Sequence, residues 1–251
     1  MQILYDNLFA KSSLAGYVLA TSGEAAGYEA ANVADWLDFD YWQPSSVATH
    51  YVEVQFTVAQ PADTIAFYAH DLFDSGWSVK CKRYNGGAWT QVGTTITPTD
   101  NGMHIQQFTE VSDTRWRFEI SGGSVVPNVG IAFIGMALAL PAPLVGFVPP
   151  LVPPGDITVN RSAGGALLGT YGNPTAADIS FEIEWQTPAW VRSDWVPFMQ
   201  HAARRAFIMA WNDADLTEAW WCWCDKPLEN PQYKDKEWMM VPFTCKGTDG
   251  L

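Results

Sequence analysis

Charge is scarce in this sequence. Only 16% of its 251 residues are Asp, Glu, Lys or Arg, below the usual quarter. Basic residues are scarcer still: 14 Lys and Arg stand against 27 Asp and Glu, a net charge of −13. A surface that grips duplex phosphates needs Lys and Arg, so specific nucleic-acid binding is not expected. Cysteine is sparse too. The four residues Cys81, Cys222, Cys224 and Cys245 are spread over both halves, which argues against a disulfide framework and makes reduced thiols the default. The first ten residues carry Asp6 and show no basic start followed by an apolar run, so no signal peptide is read. No charge occurs between Glu119 and Asp156, yet Pro141, Pro143, Pro149, Pro150, Pro153 and Pro154 interrupt the second half of that stretch. A spanning helix needs about 20 apolar residues with its backbone bonds closed internally, and membrane insertion is not expected.

Catalytic signatures are missing as well. There is no Gly-x-Ser-x-Gly, no P-loop and no Gly-x-Gly-x-x-Gly, and His50, His70, His104 and His201 are scattered. Glu182 and Glu184 share a strand face, about 6.5 Å apart by strand rise. Carboxylates so spaced can serve in glycoside hydrolysis, although a solvated strand face is the commoner outcome. Cys222 and Cys224 share a strand face that Cys245 can approach, with His201 as a distant fourth candidate ligand for zinc; buried, inert thiols are the plainer reading. The chain is read as a non-enzyme, with no catalytic residue, metal or cofactor assigned.

What the chain does have is apolar and aromatic. Hydrophobic residues make up 48%, and there are 13 Trp. That supports a substantial core, with some indoles left for interfaces, where Trp is enriched. Residues 51–58 alternate cleanly, with Val52, Val54, Phe56 and Val58 inward. Pro61-Ala-Asp reads as a turn and residues 64–70 as the next strand. Residues 77–83 alternate again, Asn85-Gly86-Gly87 is a hairpin signal, and residues 104–111, 115–121 and 129–140 complete the series. Short strands at regular spacing with little helix predict a β-sandwich. The run Asn32-Val-Ala-Asp35, Trp42, residues 51–56 and 65–70, Trp77-Ser-Val and Asn85-Gly-Gly-Ala-Trp89 resembles the galactose-binding-like, discoidin-type jelly roll, over roughly residues 28–140. Versions of that fold recur in bacteriophage tail and baseplate proteins. The resemblance implies the fold and no particular binding residue.

The second half is organised around residues 179–211. Ile179, Phe181, Ile183 and Trp185 alternate with Ser180, Glu182 and Glu184, as a half-buried strand requires. Ser193-Asp194 predicts a helix start, and Val191, Trp195, Phe198, Met199 and Ala202 give it one apolar face. Residues 207–211, 218–224 and 237–245 then read as strands, with Pro242 at an edge or bulge. Strand, hairpin, strand, helix and three strands resembles the tail-tube or distal-tail-protein fold of long-tailed phages, a split β-barrel flanked by one helix. The predicted architecture is therefore mainly β: an N-terminal jelly-roll sandwich at 1–140, a Pro-rich linker or arm at 141–155, and a C-terminal β domain with one helix at 156–251.

These readings give a first expectation: a structural component of a bacteriophage tail tip or baseplate, located in the virion and made in the host cytoplasm. Copies of the chain would join in a ring, alongside other tail proteins. Trp185, Trp195, Trp220, Trp221 and Trp238 are the candidate core or interface anchors. The alternative is a carbohydrate-binding module that contacts host surface glycans. It would use the acidic, aromatic loop of Asp35, Trp36, Asp38, Asp40 and Trp42, whose rings can stack on sugars; the same carboxylates are also candidate calcium ligands.

Overall fold

The computed structural model describes residues 1–141, 144–152 and 154–249. Pro143 and Pro153 of the expected arm, and the end of the expected second domain, lie outside the described residues. The chain is mainly β and forms two compact units. One comprises Met1–Leu140 with Arg205–Ala219; the other comprises residues 141–204 with residues 220–249.

The first unit contains β1 (Gln2–Asn7), β2 (Val18–Thr21), β3 (His50–His70), β4 (Ser78–Asn85), β5 (Ala88–Ile96), β6 (His104–Ser121) and β7 (Val129–Ala139). Its hydrogen-bonded order is β5-β4-β6-β3-β7-β1, with β2 also on β3. The segments predicted as separate strands around Pro61 form one strand of 21 residues, and those at 104–111 and 115–121 form one of 18. Together β3 and β6 make a long antiparallel ribbon whose register shifts between Gln55 and Gln60 and again between Ala62 and Thr64. Pro61 and the bulges bend this ribbon rather than ending it. Before the bend, β3 carries β2 and its partner β6 carries β4; after it, β3 pairs with β7. The two arms fold face to face as a sandwich. Val52, Val54, Trp116, Phe118 and Ile120 from one arm and Ile65, Phe67, Ala132 and Ile134 from the other share one core. Each fully buried side chain of this size is worth about 1.5–3 kcal/mol. The Asn85-Gly-Gly-Ala signal is a two-residue hairpin, with Gly86 and Gly87 at φ 60° and 90° as a primed turn demands.

Two expected boundaries move. β12 (Phe207–Ala210) pairs with β1, which lies between it and β7. Residues 205–219 therefore belong to the first unit, not to the C-terminal domain. Residues 144–145, expected in a linker, form the short strand β8 (Leu144–Val145) on the edge of the second unit.

The second unit continues with β9 (Gly155–Arg161), β10 (Leu167–Pro174) and β11 (Ala177–Gln186). After the helical segment and β12 come β13 (Ala219–Trp223), β14 (Gln232–Tyr233) and β15 (Met239–Thr248). Its sheet runs β13-β15-β11-β8, with β14 on β15. Pro242 faces Glu182 of β11 on one side, and on the other no strand pairs with residues 241–245 among those described. Its missing N–H thus falls in a gap of the ladder. The helix starts earlier than predicted. Thr187, not Ser193, caps it, its Oγ1 accepting from Trp190 N at 3.2 Å with Pro188 in the first turn. It runs as α1 (Pro188–Trp190), a π-helical turn (Val191–Trp195) and α2 (Val196–Ala202). Pro197, which has no N–H to give, comes two residues after the wide turn ends, in the first turn of α2. Trp195, Phe198 and Phe243 pack as a ring cluster beneath it.

Candidate functional site

The bend in the β3–β6 ribbon decides where the loops of the first unit gather. Both ends of β3, His50 and His70, lie away from the bend. The loops that flank them, at residues 22–49, 71–77, 97–103 and 122–128, are tied to one another. Val129 bonds Trp42 on one side and pairs with His70 on the other. Asn128 donates to Asp71 and accepts from Gln43 at 3.0 Å. Phe73 N donates to Asn101, whose amide donates to Asp74 at 2.6 Å. Trp77 lies over Gly123, where a Cβ would collide with the indole, and donates to the Val125 carbonyl at 2.7 Å.

The structure divides the expected sugar-binding loop. Trp36 and Trp42 are 3% and 0% exposed. Trp36 adopts φ +66° and packs its ring near Phe133, 6.2 Å between centroids; Trp42 belongs to the core. Neither indole offers a face to a sugar, which corrects the expectation for these two residues. Trp is as useful to a core as to a sugar site, and composition does not give ring direction. Asp35 accepts from Leu37 N at 2.8 Å. Partial burial and the neighbouring Asp40 push its carboxyl above the ordinary range, against the pull of that hydrogen bond and of Arg205. Asp38 is exposed and Asp40 partly so.

Sequence reasoning missed the residue between them. Phe39 is 70% exposed. On the same set of loops Tyr28, Leu37, Val47, Phe73 and Val125 are also exposed. Tyr28 and Tyr41 stack at 4.8 Å, and the hydrogen bond that the Tyr41 hydroxyl shares with Tyr28 holds its phenol above the usual range. The signal was legible: Asp38-Phe39-Asp40 puts an aromatic between two carboxylates, an arrangement hard to bury.

Beneath the 97–103 loop sits a histidine pair. His70 and His104 lie 5.5 Å apart by ring centroid, and both contact Phe67. Burial, with His104 close by, lowers the His70 pKa to about 4. Its Nδ1 accepts from Leu72 N at 3.2 Å, which fixes the neutral ring and anchors the 71–77 loop. His104 faces Asp100 at 3.4 Å.

Elsewhere the two candidate carboxylates do not converge. Glu182 lines a cleft of about 220 Å³ with Lys226 and Glu229, whereas Glu184 pairs with Lys234 at 2.5 Å. Burial raises the thiols of Cys81 and Cys245 and pushes Cys224 up to about 12. Among the described residues no group of three or more His, Cys, Asp or Glu is placed to hold a metal ion, nor is any helix long and apolar enough to cross a membrane. Of the five candidate anchors, Trp195, Trp220 and Trp221 are buried and present no free surface. Trp238 is half-buried. Trp185 is 48% exposed at φ +60°, on a bulge of β11, with Lys234 Nζ 4.4 Å from its ring.

No family model matches this sequence, and no curated protein does. Among solved structures, a Ruminococcus gnavus GH29 fucosidase in complex with fucose is similar at 17% identity and TM-score 0.43, over 52% of this chain and 26% of that one. The family 32 carbohydrate-binding module of C. perfringens NanJ, in complex with galactose, is similar at 12% identity and TM-score 0.43, over 53% and 98%. A chitosan-binding module from a Paenibacillus sp. IK-5 chitosanase/glucanase gives 18% identity and TM-score 0.40, over 51% and 97%. This chain thus spans about a quarter of the fucosidase's length. At these values the likeness says nothing of what this chain binds.

Proposed function

We propose that this chain is a non-catalytic carbohydrate-binding protein whose glycan site is the loop end of its first unit. One observation carries the reading: aromatic and apolar side chains stand exposed on loops already tied together by hydrogen bonds, led by Phe39 between Asp38 and Asp40. A pyranose presents an apolar C–H face to an aromatic ring and hydroxyls to carboxylates and amides, and both kinds of group are here. Loops held in place before binding lose little freedom on contact. The direct test is glycan-array screening followed by calorimetry on Phe39→Ala and Phe73→Ala. Both positions are exposed, so folding should be unaffected. The affinity for the array hit should fall about tenfold or more, the cost of truncating an anchoring ring. Binding that persists unchanged in the double variant sinks the proposal.

A second reading is favoured by a separate observation. β9 and β10 form a two-stranded sheet of their own, and Val159, Leu167, Leu168 and Tyr171 on it are exposed. Isolated hairpins are marginal in water, and exposed apolar surface of this kind is normally covered. On this reading the chain is a structural part of an assembly such as a bacteriophage tail tip or baseplate, and its copies cover the hairpin. Mass photometry of the purified protein tests it. A monomer at micromolar concentration counts against assembly and leaves the glycan reading intact.

A further inference from the structure

The outer face of the β5-β4-β6-β3 sheet is unlike the rest of this acidic chain. Alternation sends Val52, Val54, Val79, Cys81, Trp116 and Phe118 into the core, so the residues between them face the other way. In register they form rows. One row runs Glu53, Arg117, Lys82, Gln91 across four strands. A second runs Tyr51, Glu119, Lys80. Beyond the first row, Gln55 faces Arg115, and Tyr84 faces Trp89. Four cations here meet two carboxylates, an excess of two positive charges, while the whole chain carries −13.

The groups are fixed in advance. The Arg117 guanidinium lies between the rings of Tyr51 and Trp89, 3.6 and 3.8 Å from their centroids. Arg115 lies over Tyr84 and Trp89, at 4.5 and 5.1 Å. Glu53 accepts from both arginines, at 2.8 Å from Arg117, and Lys82 pairs with Glu119 at 2.7 Å. Lys80 makes no ion pair among the described residues. The four-strand row is about 14 Å long by strand spacing, room for a short run of a linear saccharide.

We infer that this face binds a carboxylated linear polysaccharide, with uronate groups meeting Lys80, Lys82 and Arg115 and hydroxyls meeting Gln91 and the edges of Trp89. The charge selects this partner over nucleic acid. Dense phosphate needs many uncommitted cations, and Glu53 and Glu119 already pair with three of the four here, leaving Lys80 and the excess of two positive charges for a weaker polyanion. The net charge of −13 repels a polyanion as dense as duplex DNA, with one charge per about 1.7 Å, more strongly than a polysaccharide with at most one carboxylate per sugar. The surface shares no residue with the loop end, so the two sites stand or fall separately.

The experiment is affinity electrophoresis and calorimetry at low ionic strength, with polygalacturonate, neutral dextran and duplex DNA as probes. The wild type should bind polygalacturonate, release it as salt rises, and ignore dextran. Lys80→Gln should weaken binding about tenfold with little change in Tm, because Lys80 makes no ion pair among the described residues and the substitution sets no second carboxylate opposite Glu119. Gln91→Lys, which adds a cation at the exposed end of the row, should tighten it. Phe39→Ala should leave it unchanged. The inference is overturned if the wild type does not bind polygalacturonate, if Lys80→Gln binds it equally well, or if DNA binds as tightly.

Discussion

The two units handle apolar surface in opposite ways. In the first, bent strands bring large side chains from two sheet arms into one closed core, and what remains exposed is concentrated on loops at one end. In the second, a core exists around Trp195, Phe198 and Phe243, yet the β9–β10 hairpin shows apolar residues to solvent. The comparison teaches that buried rings maintain each unit, while exposed ones are free to change without cost to folding. That separation is open to attack.

The largest effect should come from the closed cores. Trp116→Ala in the first unit and Trp195→Ala in the second should each cost about 3–5 kcal/mol, read as loss of one calorimetric transition. If either variant melts like the wild type, the burial assigned to that ring is wrong.

Next comes pH. The His70 pKa in the folded chain, about 4, lies below the ordinary 6.5. A lowered histidine pKa favours the neutral ring, so folding is unaffected above about pH 6.5 and weakens as pH falls towards 4. The shift corresponds to about 3 kcal/mol once the ring is forced to take a proton. His70→Asn should flatten that acid limb in the first unit only. Asp35, whose carboxyl is raised, works in the opposite direction, since its protonated form suits the fold. A melting profile whose acid limb is the same with and without His70 removes the histidine from the account.

The smallest effect on stability should be at the hairpin. Replacing Leu167, Leu168 and Tyr171 by Ser should move the unfolding free energy by no more than about 0.5 kcal/mol per site. The same variant should reduce any oligomer seen by mass photometry to monomer. A large fall in Tm would show instead that the hairpin is packed within its own chain.

Much of the fold was legible because alternation is a direct consequence of backbone geometry. Val52, Val54 and Phe56 point inward as their spacing requires, whereas Val58, expected inward with them, is exposed where the register shifts, and Asn85-Gly-Gly forms the turn its positive φ values allow. Pro61 misled, since a proline at a bulge bends a strand without ending it. β1 went unread because six residues between two partners need no distinctive pattern of their own. At the candidate site, the acidic, aromatic loop is plain in the sequence, but which of its rings are exposed is not. Asp38 and Asp40 are where an acidic loop should be, whereas Trp36 turns inward through a left-handed backbone that no periodicity reports. The cationic rows on the outer sheet face were hidden for a different reason. Tyr51, Lys82, Trp89 and Arg117 are distant in sequence and become neighbours only once register is known.

The placement of β12 bears on how the molecule is made. Residues 141–204 must leave the ribosome before Phe207–Ala210 can reach β1. Until then the nascent first unit carries an open strand edge, the kind of surface on which chains aggregate. A gene cut at residue 140 would make that temporary state permanent, so tests of the two proposed binding surfaces call for the intact chain.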